Sequence, residues 1–109
     1  MASANVVELN DSNFESVISA SAEPVLVDFW APWCAPCRML TPVVEEIAAE
    51  NLGTFKIAKV NVDEAPIVSE KFGIRSIPSL LFFKAGEKKD QTVGVLGKAE
   101  IVRRLQALA

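Results

Sequence analysis

The chain's two cysteines, Cys34 and Cys37, are the residues whose type and spacing point most directly to chemistry. They stand between an apolar run at 25–29, which predicts a buried strand, and residues 38–48, whose apolar positions recur at helical spacing. A Cys-x-x-Cys pair at such a strand-to-helix junction is typical of a redox-active dithiol. The first turn of a helix offers unpaired backbone N–H groups and the positive end of the helix dipole, and both favour a thiolate at Cys34. A nucleophile and a resolving thiol one turn apart are the two parts that thiol–disulfide exchange requires.

Composition narrows the classes of function that the chain supports. A sequence of 109 residues that is half hydrophobic fits one domain, residues 1–109, with a substantial core. The net charge is −3 and no basic run exceeds two residues, so we expect no nucleic-acid partner. The chain has no histidine, which disfavours histidine-assisted nucleophilic catalysis and most transition-metal sites. We therefore predict no metal site and no tightly bound cofactor.

The N-terminal sequence and the hydropathy pattern bear on location. The first residues lack a basic segment followed by a long apolar one, and no apolar run approaches the ~20 residues of a membrane span. We predict a soluble, cytoplasmic protein with no membrane partner, in a compartment where a cysteine pair is more often catalytic than structural. An organelle stroma, after removal of a transit peptide, is the alternative.

The sequence pattern predicts strands and helices in the order βαβαβαββα. This order favours an α/β sandwich whose mixed sheet has parallel βαβ units first and an antiparallel hairpin last. Residues 12–15 resemble a capping box, and Asp63 is positioned to cap the third helix. The predicted strands span 6–9, 25–29, 54–62, 79–83 and 91–96, and the longer helices span 34–50, 64–72 and 98–108.

Asp28 is an acidic residue within an otherwise apolar predicted strand. A carboxyl group buried there costs free energy unless it is paired or has a function. Burial should raise its pKa, which would let Asp28 accept a proton from Cys37 near neutral pH, directly or through water.

Several segments together resemble the thioredoxin family over nearly the whole chain. The resemblance implies a thioredoxin fold, a three-layer α/β/α sandwich with a central mixed five-stranded sheet and four helices. It also implies an enzyme, a thiol–disulfide oxidoreductase that reduces protein disulfides. Residues 74–78 are most similar to bacterial and chloroplast m-type members. The matching segments are Val25–Cys34, Val60–Asp63, Phe72–Ser79 and Val93–Gly94.

The same resemblance assigns roles to four residues. Cys34 would attack the target disulfide, and Cys37 would resolve the mixed disulfide that forms. Asp28 would accept the proton of Cys37. Lys59 resembles the family's lysine near that acid, and the alternative is that Asp28 and Lys59 form a buried structural pair.

The resemblance also predicts a target-binding surface. It implies a cis peptide bond between Ile77 and Pro78 beside the cysteines, with the backbone of Ile77 hydrogen-bonding an extended target peptide. Ala35 departs from the family's usual glycine, which bears on redox potential and partner range but not on the type of reaction. The predicted binding residues are Trp33, Ala35, Pro36, Ile77, Pro78, Gly94 and Val95.

The partners implied are a thioredoxin reductase, dependent on NADPH or on ferredoxin, and protein disulfide targets, with the chain acting as a monomer. An oxidase or disulfide isomerase on the same fold is the main alternative. Two further alternatives are an adaptor that only binds partners and a zinc site completed by a second copy, since two cysteines supply half of a tetrahedral set.

Overall fold

In the computed structural model, which describes residues 4–109, strands and helices alternate around one central sheet. The strands are β1 (Val7–Leu9), β2 (Val25–Trp30), β3 (Lys56–Asn61), β4 (Ser79–Lys84) and β5 (Glu87–Val93). The helices are α1 (Phe14–Ala20), α2 (Ala35–Glu50), α3 (Pro66–Lys71) and α4 (Lys98–Gln106). No helix within the described part of the chain combines the length and apolar character needed to cross a membrane.

The sheet is mixed, with the strand order β1-β3-β2-β4-β5. β1, β3 and β2 are parallel, whereas β4 runs antiparallel to both β2 and β5. Side chains from α2 and α4 pack on one face, and side chains from α1 and α3 pack on the other. The predicted three-layer α/β/α sandwich with five strands and four helices is confirmed.

Alternation along β2 determines which face each of its side chains joins. Val25, Val27 and Phe29 belong to the core beneath α1 and α3, whereas Leu26 belongs to the core beneath α2 and α4. Asp28 is two residues from Leu26, so its side chain lies on the α2 side of the sheet.

The hairpin of β4 and β5 differs from the prediction. Only Ala85 and Gly86 form the turn, and both have positive φ (54° and 81°), which allows pairing to resume at Glu87. β5 therefore starts earlier than the predicted 91–96 and ends at Val93. Its first half is polar and exposed, so hydrophobic pattern alone did not reveal it as a strand.

Both predicted helix caps were wrong. α1 has Asn13 as its N-cap residue with no side-chain cap, and the Oδ1 atom of Asn10 instead accepts hydrogen bonds from the N–H groups of Ser12 and Asn13. At α3 the cap comes from a distant residue. The carboxylate of Asp11 accepts from the N–H groups of Ile67 (3.2 Å) and Val68 (2.9 Å).

Candidate active site

Cys34 and Cys37 form a disulfide at the start of α2, with their Cα atoms 5.2 Å apart. Cys34 is the N-cap residue of the helix, and its Sγ atom accepts a hydrogen bond from the N–H of Cys37 at 3.2 Å. The residues that precede the helix are in a turn, and Pro36 occupies the first helical turn, where the missing N–H has no cost. In the reduced protein the same N–H group and the helix dipole would stabilise negative charge on Cys34.

The two cysteines differ little in exposure. Cys34 is 5% exposed and Cys37 is 1% exposed. Cys34 is thus the more exposed cysteine, but it is less exposed than its position at the start of the helix predicted. Ala31, Trp30, Val62 and Ile77 pack around the pair. Little of either cysteine is therefore open to solvent.

Asp28 lies on the sheet face that α2 covers and is 3% exposed. Its Oδ1 atom is one of only two buried side-chain oxygens in residues 4–109 without a hydrogen-bond partner; the other is Oγ1 of Thr92. Burial raises the pKa of Asp28 from 3.8 to about 7, and the positive charge of Lys59 lowers it by a smaller amount. The carboxyl group thus changes protonation near neutral pH, as its position in an apolar strand predicted.

Lys59 neighbours Asp28 in the parallel register of β2 and β3. The residue is 7% exposed, and its Nζ atom lies 4.4 Å from the centre of the Trp30 ring, a cation–π arrangement. Among the described residues, the salt bridges do not include one between Lys59 and Asp28, and Oδ1 of Asp28 has no hydrogen-bond partner. Lys59 therefore acts on Asp28 through its charge.

The loop before β4 approaches the disulfide from the other side. The peptide bond between Ile77 and Pro78 is cis, as predicted. The carbonyl oxygen of Ile77 lies 3.8 Å from Sγ of Cys34, and the carbonyl of Pro78 accepts a 2.8 Å hydrogen bond from the N–H of Gly94. This hydrogen bond joins the two loops that were predicted to bind targets.

The predicted target-binding residues are exposed to different extents. Trp33 is 67% exposed, Ala35, Pro36 and Val95 are also exposed, Ile77 and Gly94 are half-buried, and Pro78 is buried. Val93, which the sequence analysis left out, is an exposed apolar residue next to Gly94.

Asp63 was assigned the wrong role from the sequence. Its carboxylate accepts a 3.0 Å hydrogen bond from Nε1 of Trp33, which fixes the orientation of this exposed ring. The partners are 30 residues apart, and nothing in the local pattern around Asp63 pointed to the contact.

Within residues 4–109 no cluster of three or more histidine, cysteine or acidic residues is arranged to hold a metal ion. The site brings together two sulfur atoms, a titratable buried acid and a nearby cation.

Comparison with known proteins agrees with this geometry. A family model described as Thioredoxin matches residues 5–107. "Thioredoxin M-type, chloroplastic" of Pisum sativum is 49% identical over 98 residues, which make up 90% of this chain and 57% of that protein. "Thioredoxin 1" of Nostoc sp. is 50% identical over 99 residues, covering 91% of this chain and 92% of that protein.

A third relative, "Thioredoxin M-type, chloroplastic" of Chlamydomonas reinhardtii, is 49% identical over 90% of this chain and 70% of its own length. The chain thus spans a little over half of the pea protein and nearly all of the Nostoc protein. The chain belongs to the thioredoxin family, and its cysteine pair is that of a thiol–disulfide oxidoreductase, which reduces protein disulfides by reversible dithiol–disulfide exchange.

Proposed function

We propose that Cys34 is the attacking thiolate and Cys37 the resolving thiol. Cys34 is the more exposed of the two cysteines, and the N–H of Cys37 donates a hydrogen bond to its sulfur, so negative charge is better stabilised on Cys34. Attack by the thiolate of Cys34 on a target disulfide forms a mixed disulfide and releases one target thiolate. Cys37 then loses its proton and attacks Sγ of Cys34, which releases the second target thiolate and forms the internal disulfide.

Asp28 is the proposed acceptor of the Cys37 proton, and this buried acid is the observation that carries the mechanism. A pKa of about 7 leaves a substantial fraction of Asp28 ionised at neutral pH while keeping it basic enough to take a proton. Its Oδ1 atom has no partner that would compete for the incoming proton. Transfer takes place directly or through a water molecule.

Lys59 is proposed as a positioning residue that adjusts the charge of this acid. Its ammonium group lowers the pKa of Asp28 and so increases the ionised fraction near neutral pH. The alternative, a structural pair, predicts that removing Lys59 changes stability but leaves the pH dependence of mixed-disulfide release unchanged.

Targets are proposed to bind across the opening above Cys34. The exposed indole of Trp33 and the side chains of Ala35 and Val95 offer an apolar surface, and the backbone of Ile77 offers hydrogen bonds to an extended peptide. Pro36, Pro78 and Gly94 complete this surface by holding the backbone at the two loops.

The physiological partners proposed are protein disulfides and a reductase dependent on NADPH or ferredoxin, with the chain acting as a single-domain monomer. The names of the pea and Chlamydomonas relatives favour an organelle stroma, whereas the Nostoc relative is consistent with a bacterial cytoplasm. Reduction of the protein by each type of reductase, measured separately, distinguishes these settings.

The proposal is tested by insulin reduction with the parent protein and two cysteine variants. Cys34→Ser should abolish turnover and form no mixed disulfide through position 37. Cys37→Ser should also lose turnover but should accumulate a covalent complex with the target that dithiothreitol releases. Multiple turnovers by Cys37→Ser at the parent's rate would contradict the resolving role.

A further inference from the structure

A cavity of about 390 Å³ opens where the end of β2, the first turns of α2 and Lys59 of β3 meet. Its volume lies within the range of small-molecule binding sites. None of its lining residues belongs to the proposed target-binding surface, so a ligand here would not compete directly with a docked target peptide. The cavity is lined by Trp30, Pro32, Arg38, Thr41, Pro42 and Lys59.

The lining combines two cations with apolar surfaces. Lys59 is nearly buried and lies over the Trp30 ring, and Arg38 is held at the edge by a 2.9 Å hydrogen bond from its Nη1 atom to the carbonyl of Pro32. Within the described residues none that lines the cavity is acidic. Such a cavity favours a negatively charged group at one end and a flat apolar group at the other.

We propose that this cavity binds a small aromatic carboxylate. The ligand's ring would pack against Trp30 and the two prolines, while its carboxylate would be attracted by Lys59 and Arg38. A bare anion such as phosphate would make no use of the apolar walls, and a neutral aromatic compound would make no charge interaction with Lys59 or Arg38.

Binding of the carboxylate in this cavity is coupled to the protonation state of Asp28. The ionisable groups that face the ligand are Lys59 from β3 and Arg38 from α2, with Asp28 of β2 beside Lys59 in the sheet. An ionised Asp28 repels an anion bound beside Lys59, so the affinity should fall as pH rises through the pKa of Asp28, about 7. A bound carboxylate would, by the same coupling, keep Asp28 protonated and slow mixed-disulfide release near neutral pH.

Benzoate is the probe, and the oxidised full chain is titrated while the indole N–H signals are followed by NMR. The Trp30 signal should shift with saturation, whereas the Trp33 signal should stay in place because Trp33 does not line the cavity. Lys59→Met should weaken binding about tenfold, as expected for loss of a nearly buried charged partner. Arg38→Gln should weaken it about threefold, and Arg103→Gln, a matched exposed arginine on α4, should leave it unchanged.

Four outcomes can overturn the proposal or its coupling to Asp28. If benzamide bound as tightly as benzoate, the negative charge of the ligand would not contribute to binding. If inorganic phosphate shifted the Trp30 NMR signal equally, the aromatic ring of the ligand would not contribute. Equal affinity in Lys59→Met and the parent would place the ligand elsewhere. Asp28→Asn should abolish the pH dependence between pH 6 and 8, whereas a dependence that persists would contradict the coupling to Asp28. The titration involves no turnover, so its failure leaves the proposed thiol roles untouched, and failure of those roles leaves the titration valid.

Discussion

The two faces of the central sheet are built from different chemistry. Beneath α1 and α3 the hydrophobic core includes a cluster of phenylalanines whose ring centres lie 5.4–6.5 Å apart. Beneath α2 and α4 an equally buried core surrounds Asp28 and Lys59. The clustered rings are Phe14, Phe29, Phe72 and Phe83.

This difference indicates that the buried titratable group and the phenylalanine cluster lie on different faces of the sheet. A carboxyl group with a buried, unpartnered oxygen lowers the stability of the folded protein, and the surrounding apolar packing has to compensate for it. The same unfavourable environment gives Asp28 a pKa near neutrality, which an exposed aspartate would lack. The α1/α3 face stabilises the fold, and the α2/α4 face also holds the titratable Asp28, the proposed proton acceptor.

Substitutions of two adjacent leucines on β4 should give the largest effects among the tests of this comparison. Leu80 and Leu81 are both fully buried, but Leu80 belongs to the α2/α4 core and neighbours Asp28, whereas Leu81 belongs to the α1/α3 core. Each change to alanine should lower the free energy of unfolding by about 2–5 kcal/mol. Only Leu80→Ala should also lower the pKa of Asp28, because water can enter beside the carboxyl group.

Denaturant unfolding gives the stability of both variants, and carbon-13 NMR of the Asp28 carboxyl group gives its pKa. An equal change of that pKa in Leu80→Ala and Leu81→Ala would mean that the two faces are not separate environments.

Asp11 tests a contact on the α1/α3 side that contributes to stability alone. Asp11→Ala removes two acceptors of backbone N–H groups at the start of α3 and should cost about 1 kcal/mol in the free energy of unfolding. Asp11→Asn keeps one oxygen acceptor and should lose less. Insulin reduction by both variants should match the parent, and a loss of activity would connect α3 to the site.

Ala35 gives the smallest expected effect. Ala35→Gly should lower the free energy of unfolding by up to about 1 kcal/mol, since it loosens the first turn of α2. The matched control is Ala49→Gly, an exposed position near the other end of the same helix. Both variants should retain disulfide reduction, with a small change of redox potential in Ala35→Gly alone. Loss of activity in Ala35→Gly would show that the alanine is required for function.

The parts of the structure that could be predicted from the sequence are those with strong local patterns. The buried β2 and the amphipathic α2 are clear from hydrophobic periodicity, and the cysteines stand at their junction, so the redox pair follows directly. Asp28 was recognisable because a single acid in an apolar strand is costly.

What the sequence could not predict depends on contacts between distant residues. Asp11 reaches α3 across 56 and 57 residues, and Asp63 binds Trp33 instead of capping a helix. The polar half of β5 is a strand because it pairs with β4, not because of its own pattern. The cavity beside Lys59 likewise arises only when three separate elements meet.

The central claim, that Asp28 is a buried titrating acid kept at the expense of stability, is tested most directly by Asp28→Asn across a range of pH. The folded-state pKa of about 7 exceeds the ordinary 3.8, so the parent should lose stability as pH rises from about 4 to 7 and then level off. The variant has no such group, and its stability advantage should therefore grow over that interval to about 4 kcal/mol above pH 7. Denaturant unfolding of both oxidised proteins at each pH measures this difference. A stability difference that does not change between pH 4 and 8 would contradict the account.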